Sequence, residues 1–165
     1  MEVFAASRPD AGMLEVVRAS PTCAFGAFQG VLIANWRTEV RLSDVKGVVA
    51  LRNRMMAHDF LGAVHIAEPG LPLPTEECRT EARVGLESRK GNPSPVALAI
   101  LGTGFGASAI RSVGTAIFAL RSGMPTRIFS SSEDAARWLC EALADRVEAH
   151  ALAEACTQLR SASQG

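Results

Sequence analysis

The segment Val96-Ala97-Leu98-Ala99-Ile100-Leu101 is an unbroken apolar run in the second half of the chain. A strand in which every residue is apolar is covered on both faces, as happens inside a parallel sheet with helices above and below it. The run is followed by Gly102 and preceded by Gly91-Asn92-Pro93, which are residues that interrupt regular structure. We therefore expect a central buried strand here, and this strand predicts an α/β fold.

Apolar runs and amphipathic helical patterns alternate around this strand. Helices are expected over residues 43–58, 76–90 and 107–121, and strands over residues 60–67 and 126–129. Shorter apolar runs at residues 13–18, 23–28 and 31–36 are typical of an antiparallel meander. Gln29-Gly30 is expected to form a turn, or a bulge if residues 23–36 are one long strand. Helical connections impose parallel crossovers. The pattern predicts a small, mixed, mostly parallel sheet with an N-terminal antiparallel meander and about four helices.

The last helix is expected to begin at Ser131-Ser132-Glu133-Asp134, which matches a capping box. Apolar residues recur about every four positions beyond it, and a continuous helix would carry them past the edge of so small a domain. The residues expected to form an interface, in a homodimer seam or against a partner helix, are Leu143, Val147, Leu152 and Leu159. The alternative is that the segment frays beyond about Arg146.

The composition is that of one globular domain, with 165 residues, 48% hydrophobic and 21% charged. Seventeen basic and seventeen acidic residues give a formal net charge of zero. The basic excess that a nucleic-acid or membrane surface requires is therefore missing, and self-association into a dimer is favoured. We expect a loose leader over residues 1–12, the α/β domain over residues 13–146, and a helical extension with a polar tail over residues 147–165.

The four cysteines and three histidines are scattered, without the spacing of metal ligands. We expect reduced, structural thiols and no metal site. The N-terminus lacks the pattern of a signal peptide, and the apolar runs are far shorter than a membrane span. The sequence thus favours a soluble cytoplasmic protein. His65 is expected to be a satisfied core group, and Trp36 and Trp138 are expected to anchor the core or an interface.

Two segments near the C-terminus, Met-Pro-Thr-Arg-Ile-Phe at residues 124–129 and Ser-Ser-Glu-Asp-Ala-Ala-Arg-Trp-Leu at residues 131–139, resemble the closing signature of the SpoIIAA-like family. That family is related to the STAS anti-sigma-factor antagonist domains, and the resemblance covers about residues 30–143. It implies a SpoIIAA-like fold and a non-enzymatic, often dimeric module that binds proteins or small ligands. STAS antagonists carry a phosphorylated serine in an Asp-Ser-Ser-Gly-type segment, whereas residues 68–75 read Glu-Pro-Gly-Leu-Pro-Leu-Pro-Thr. The phosphorylation switch is therefore not carried over.

The stretch Gly102-Thr103-Gly104-Phe105-Gly106-Ala107 matches the dinucleotide fingerprint G-x-G-x-x-(G/A) after a strand and before a helix. Glycines let backbone amides approach a phosphate, and a helix N-terminus attracts negative charge. The acidic residue that should follow about twenty positions later to bind a ribose is missing. The expectation is therefore a flexible turn without a cofactor, with a small nucleotide- or NAD(P)-binding enzyme as the alternative.

The carboxyl ends of parallel strands meet at one edge of a sheet, so the loops of residues 68–75 and 102–108 should lie together. The residues expected to bind a ligand or partner there are Glu68, Gly70, Thr75, Thr103, Gly104, Gly106, Ser108 and Arg111. Thr75 has a second role as a helix N-cap, and phosphorylation of Thr75 or Ser108 stays open. No catalytic residue is identified. We expect a binding or regulatory module with a protein partner, and a further alternative is a carrier of an apolar ligand such as a lipid.

Overall fold

A computed structural model describes residues 12–87, 94–119 and 125–163. Within these ranges the elements are β1 (Glu15–Ala19), β2 (Cys23–Phe28), β3 (Val31–Trp36), α1 (Leu42–Met56), β4 (Gly62–Ala67), α2 (Glu76–Glu87), β5 (Val96–Ile100), α3 (Phe105–Ala119), β6 (Thr126–Phe129), α4 (Ser132–Ala142) and α5 (Ala149–Ser161). Two expectations lie outside the described residues. One is the leader, of which only Gly12 is described, and the other is the ends of the two helices expected to run past residues 87 and 119.

The six strands form one sheet in the order β1-β2-β3-β4-β5-β6. Strands β1 to β3 pair antiparallel, and β3 to β6 pair parallel, which confirms the predicted meander and mixed sheet. Strand β5 lies between β4 and β6 and is buried along its whole length, as its unbroken apolar sequence predicts. The general α/β class is therefore established.

Side chains alternate between the two faces of the sheet, and each face has its own helical layer. On one face Leu98 and Ile100 join a core with residues of α1 and α3. On the other face Ala97 and Ala99 join a core with residues of α4 and α5. Helices α1, α2 and α3 each connect two parallel neighbours, and connections that progress in one direction across a sheet place their helices on one face. The result is three layers, with the sheet in the middle.

The turn between β2 and β3 is the predicted Gln29-Gly30 turn. Gln29 has φ 47° and Gly30 has φ 83°. Two positive φ angles in a two-residue loop define a type I′ hairpin, the turn whose twist matches that of the flanking strands. A side chain on Gly30 would also collide with the backbone carbonyl of Asp59, so this position requires glycine.

The final helical segment is neither continuous nor frayed beyond about Arg146, which were the two expected alternatives, because it divides into α4 and α5. Ser131 caps α4 as expected, because its side chain accepts a hydrogen bond from the Asp134 N–H at 3.2 Å. The chain then turns through Ala144 and Asp145, which have φ 52° and 56°. Helix α5 folds back beside α4 and packs against β2 and β3. The described residues thus contain five helices rather than about four, and α5 belongs to the domain instead of extending from it.

The four residues expected at an interface lie inside the chain's own core. Their exposed fractions are 3% for Leu143, 1% for Val147, and 0% for Leu152 and Leu159. The sequence predicted that this apolar face is covered, and it is. The surface that covers it is the sheet of the same chain. This corrects the predicted seam, because side chains buried within one chain are not available to a second one.

Strand β1 passes so close to β2 that we expect Gly26→Ala to destabilise the meander. A Cβ atom on Gly26 would overlap the backbone carbonyl of Glu15. A carbonyl paired in a sheet cannot rotate away, so the free energy of unfolding should fall by about 1–3 kcal/mol. Urea denaturation would measure the change. Gly106→Ala is the control, since nothing lies within 4 Å of its added Cβ. Equal stability of Gly26→Ala and the wild type would contradict the packing described here.

Candidate functional site

The two loops expected to meet at the carboxyl edge of the sheet are in contact. The Leu101 N–H donates a hydrogen bond to the Ala67 carbonyl at 2.9 Å, which holds the ends of β4 and β5 together. A Cβ atom on Gly102 would lie 3.2 Å from Cβ of Pro69. Residues 68–75 and 102–108 therefore form one continuous edge, as the parallel pairing of β4 and β5 predicts.

The predicted residues on this edge have different roles. Thr75 caps α2, because its Oγ1 accepts a hydrogen bond from the Cys78 N–H at 3.3 Å. Gly70 has φ 82° and Gly104 has φ 96°, so both need the freedom of glycine. The remaining predicted residues lie on the α3 side of the edge. Thr103, Gly106 and Ser108 are exposed, and Arg111 is half-buried. The strand–turn–helix setting of the fingerprint is present, and the residues that follow the next strand β6, Ser130 and Ser131, are not acidic.

Glu68 is part of a polar clamp that holds the end of α5 on the sheet. Its carboxylate accepts hydrogen bonds from Arg160 Nε at 2.6 Å and Nη2 at 2.9 Å. Asn35 Nδ2 donates to the same carboxylate at 2.9 Å. The Arg160 guanidinium is the main cause that lowers the pKa of Glu68 below its ordinary value. Arg37 Nη2 adds a hydrogen bond to the Ala162 carbonyl at 2.6 Å, just beyond α5. Glu68 thus already has intramolecular partners.

We expect Glu68→Gln to loosen this clamp and to lower the free energy of unfolding by about 1 kcal/mol or less. The pair is partly exposed, with 35% of Arg160 and 21% of Glu68 accessible, so solvent screens much of the attraction. Hydrogen exchange should rise at the end of α5. The control is Glu39→Gln, which breaks the more exposed Glu39–Arg41 pair. Unchanged exchange at the end of α5 would contradict the role of the clamp.

An apolar cavity lies between the sheet and helices α1, α2 and α3. Its volume is about 170 Å³. The side chains that line it from the sheet are Leu32, Trp36, Ala63, His65, Ala67, Val96, Leu98 and Ile100. Small residues of the facing helices, Ala82 on α2 and Gly114 on α3, also line it. Concave, mostly apolar sites of this kind are where small molecules usually bind, so this cavity is a candidate ligand site.

Two rings from adjacent strands form the polar part of the sheet wall. Trp36 Nε1–H donates a hydrogen bond to Nδ1 of His65 at 3.3 Å. The two ring planes are inclined by only 7°. Burial, and secondarily the charge of Arg52, lowers the pKa of His65 to about 4. A neutral imidazole that accepts at Nδ1 carries its proton on Nε2, which fixes the tautomer.

Arg52 brings a charged group to the helical wall of the same cavity. Its exposed fraction is 8%. Nη1 donates a hydrogen bond to the Gly85 carbonyl at 3.1 Å, and the guanidinium carbon lies 5.7 Å from the centre of the Phe60 ring. The cavity thus combines apolar walls with a few fixed polar groups, which is the usual composition of a small-molecule site.

Comparisons with known proteins add no family to this description. No protein-family model matches the chain, and no curated protein matches its sequence. The structure itself defines the class: a three-layer α/β domain with a mixed six-stranded sheet. In the part of the chain that the structure describes, no cluster of three or more metal-binding side chains occurs. None of the helices described there combines the length and apolarity needed to cross a bilayer.

The sequence identified the edge loops but missed the cavity. His65 was interpreted as a satisfied core group, and its Nδ1 does have a partner. Trp36 was interpreted as an anchor. A signal was present in the alternation, because Trp36 and His65 fall on the same sheet face as Ala63 and Ala67. A row of small residues beside two large rings leaves space, but only the position of the helices decides whether that space is filled.

Proposed function

We propose that this protein is a non-enzymatic binding module that holds a small apolar ligand in the cavity between the sheet and helices α1 to α3. The observation that carries the proposal is the cavity itself, with its volume of about 170 Å³ and its wall of apolar side chains. An engineered apolar cavity of about 150 Å³ binds benzene. The ligand is therefore about the size of a single ring, and a two-chain lipid is too large for the cavity.

The apolar lining of the cavity supports the proposal. An apolar ligand that enters the cavity removes its own surface and the facing walls from water. Each Å² of apolar surface removed from water contributes about 25 cal/mol, and this burial is the source of the binding free energy.

A regulatory role through protein contacts belongs to the same proposal. Leu71 and Pro74, in the loop of residues 68–75, line the cavity. Leu73 of the same loop is 50% exposed. A ligand in the cavity therefore touches the inner side of the loop whose outer side meets a protein partner. The SpoIIAA-like fold, the dimer and the cytoplasmic location complete the proposal, supported by the resemblance at residues 124–139 and by the order of elements.

A thermal-shift and calorimetry panel of small apolar compounds tests the ligand. Benzene, toluene and indole are suitable probes, and one that reaches 100 times its dissociation constant should add about 2.7 kcal/mol of stability. Ala82→Phe and Ala82→Leu add side-chain volume inside the cavity and should remove the response. Ala142→Phe is the matched control, because Ala142 is exposed at the end of α4 in the opposite layer.

Native mass spectrometry after mild purification provides the second measurement. A retained small molecule in the wild type that is lost in Ala82→Phe supports the proposal. No response to any probe together with no retained molecule overturns it, as does an unchanged response in both Ala82 variants.

A further inference from the structure

The Trp36–His65 pair specifies the class of ligand more closely than the size of the cavity does. An indole N–H lies in the plane of its ring, and the lone pair of imidazole Nδ1 lies in the plane of that ring. The hydrogen bond of 3.3 Å joins these two in-plane atoms, and the planes differ by only 7°. The rings therefore lie side by side rather than face to face, with centroids 6.4 Å apart. Together they form one flat aromatic surface.

The sheet holds this flat surface in place. In the register of β3 and β4, Ala34 pairs with His65, and Trp36 pairs with Ala67. Each ring thus has an alanine as its neighbour across the β3–β4 pair, while Leu98 lies on the other side of His65 and Cys23 on the other side of Trp36. The two alanines leave room beside the rings on the same face. Both side chains line the cavity.

We propose that the cavity selects a flat aromatic ligand of one ring, which stacks on the surface formed by Trp36 and His65. This inference rests on the proposed function and adds the shape and π character of the ligand. Offset stacking contributes beyond the area that is buried, whereas the aliphatic walls of the cavity treat flat and puckered rings of equal size alike. The contribution of stacking corresponds to about a 2- to 10-fold preference for the aromatic compound.

Phenol and cyclohexanol are a matched pair of probes, because they have the same heavy atoms and differ in planarity and π electrons. Calorimetry on the wild type should give a dissociation constant about 2- to 10-fold lower for phenol. Trp36→Leu should bring the ratio close to 1, and Trp36→Phe, which keeps an aromatic ring, should retain part of it. Circular dichroism establishes that each variant is folded.

A fluorescence reporter makes the test independent of the Trp36 variants. The chain has two tryptophans, and Trp138 packs against Phe129, in the opposite helical layer, with ring centroids 5.8 Å apart. Trp138→Phe therefore leaves Trp36 as the single tryptophan, and phenol should change its emission with the same dissociation constant as calorimetry gives.

The outcomes separate the two proposals. A phenol preference that disappears in Trp36→Leu, with a matching change in Trp36 emission, supports the flat aromatic ligand. Equal affinities for phenol and cyclohexanol in the wild type, or an unchanged ratio in a folded Trp36→Leu variant, overturn it and leave the apolar cavity as a ligand site. Binding of neither probe nor of any compound in the apolar panel overturns the proposed function itself.

Discussion

Leu159→Ala should lower the free energy of unfolding by about 2–5 kcal/mol, and Leu152→Ala should have a similar effect. Both side chains are 0% exposed and pack in the core between α4, α5 and the sheet. Each replacement removes buried methyl groups and leaves a space that surrounding groups fill only in part. Urea denaturation with linear extrapolation would measure the loss.

The same variants test whether the apolar face of α5 packs against its own chain or against a second copy. Sedimentation equilibrium should give the wild-type mass for both, because the leucines face their own sheet. Leu73→Ala is the control, since Leu73 is 50% exposed and its truncation should change stability by less than about 0.5 kcal/mol. Variants with wild-type stability but an altered mass would contradict this packing and would indicate that these leucines lie at an interface between chains.

His65 should make the stability of the protein depend on pH between about 4 and 6.5. Burial lowers its pKa from 6.5 to about 4 in the folded chain, and the neighbouring Arg52 charge contributes in the same direction. Between these values the unfolded chain binds a proton that the folded chain does not, so stability rises with pH. The contribution is fully present above pH 6.5, and its loss amounts to roughly 3 kcal/mol as the pH falls to about 4.

His65→Gln isolates this contribution, because glutamine does not titrate and can still accept the Trp36 hydrogen bond. Urea denaturation at pH 8, 7, 6, 5 and 4.5 should give a wild-type curve that falls more steeply than that of the variant below pH 6.5. Above pH 7 the two curves should run parallel, which provides the internal reference. Parallel curves across the whole range would show that His65 is not held neutral by its surroundings.

Much of the architecture follows from local sequence. The apolar run at β5 predicted a strand covered on both faces, and β5 is buried throughout. Gln29-Gly30 predicted a turn and Ser131 predicted a cap, and both are confirmed. These features succeed because each depends on a few adjacent residues: glycine permits a positive φ, and a serine hydroxyl reaches an amide three residues away.

The end of the chain could not be predicted in the same way. The apolar period of the last helix is the same whether a sheet, a second chain or a partner helix covers it, because periodicity reports that a face is apolar and not what lies against it. The turn at Ala144 and Asp145 contains no glycine, so the sequence gives no signal of positive φ angles there. The positive φ angles there accompany backbone hydrogen bonds that close the end of α4, from the Ala144 N–H to the Glu141 carbonyl at 3.0 Å and from the Asp145 N–H to the Cys140 carbonyl at 2.9 Å.

The amino-acid sequence by itself determined the alternation of strands and helices, the antiparallel start of the sheet and the meeting of two loops at its carboxyl edge. Tertiary structure alone decided that α5 folds back onto its own sheet and that a cavity of about 170 Å³ lies beside Trp36 and His65. The physical reason is the range of the forces involved. Backbone preferences and apolar periods act between residues close in sequence, whereas a cavity is the space left after distant side chains have packed.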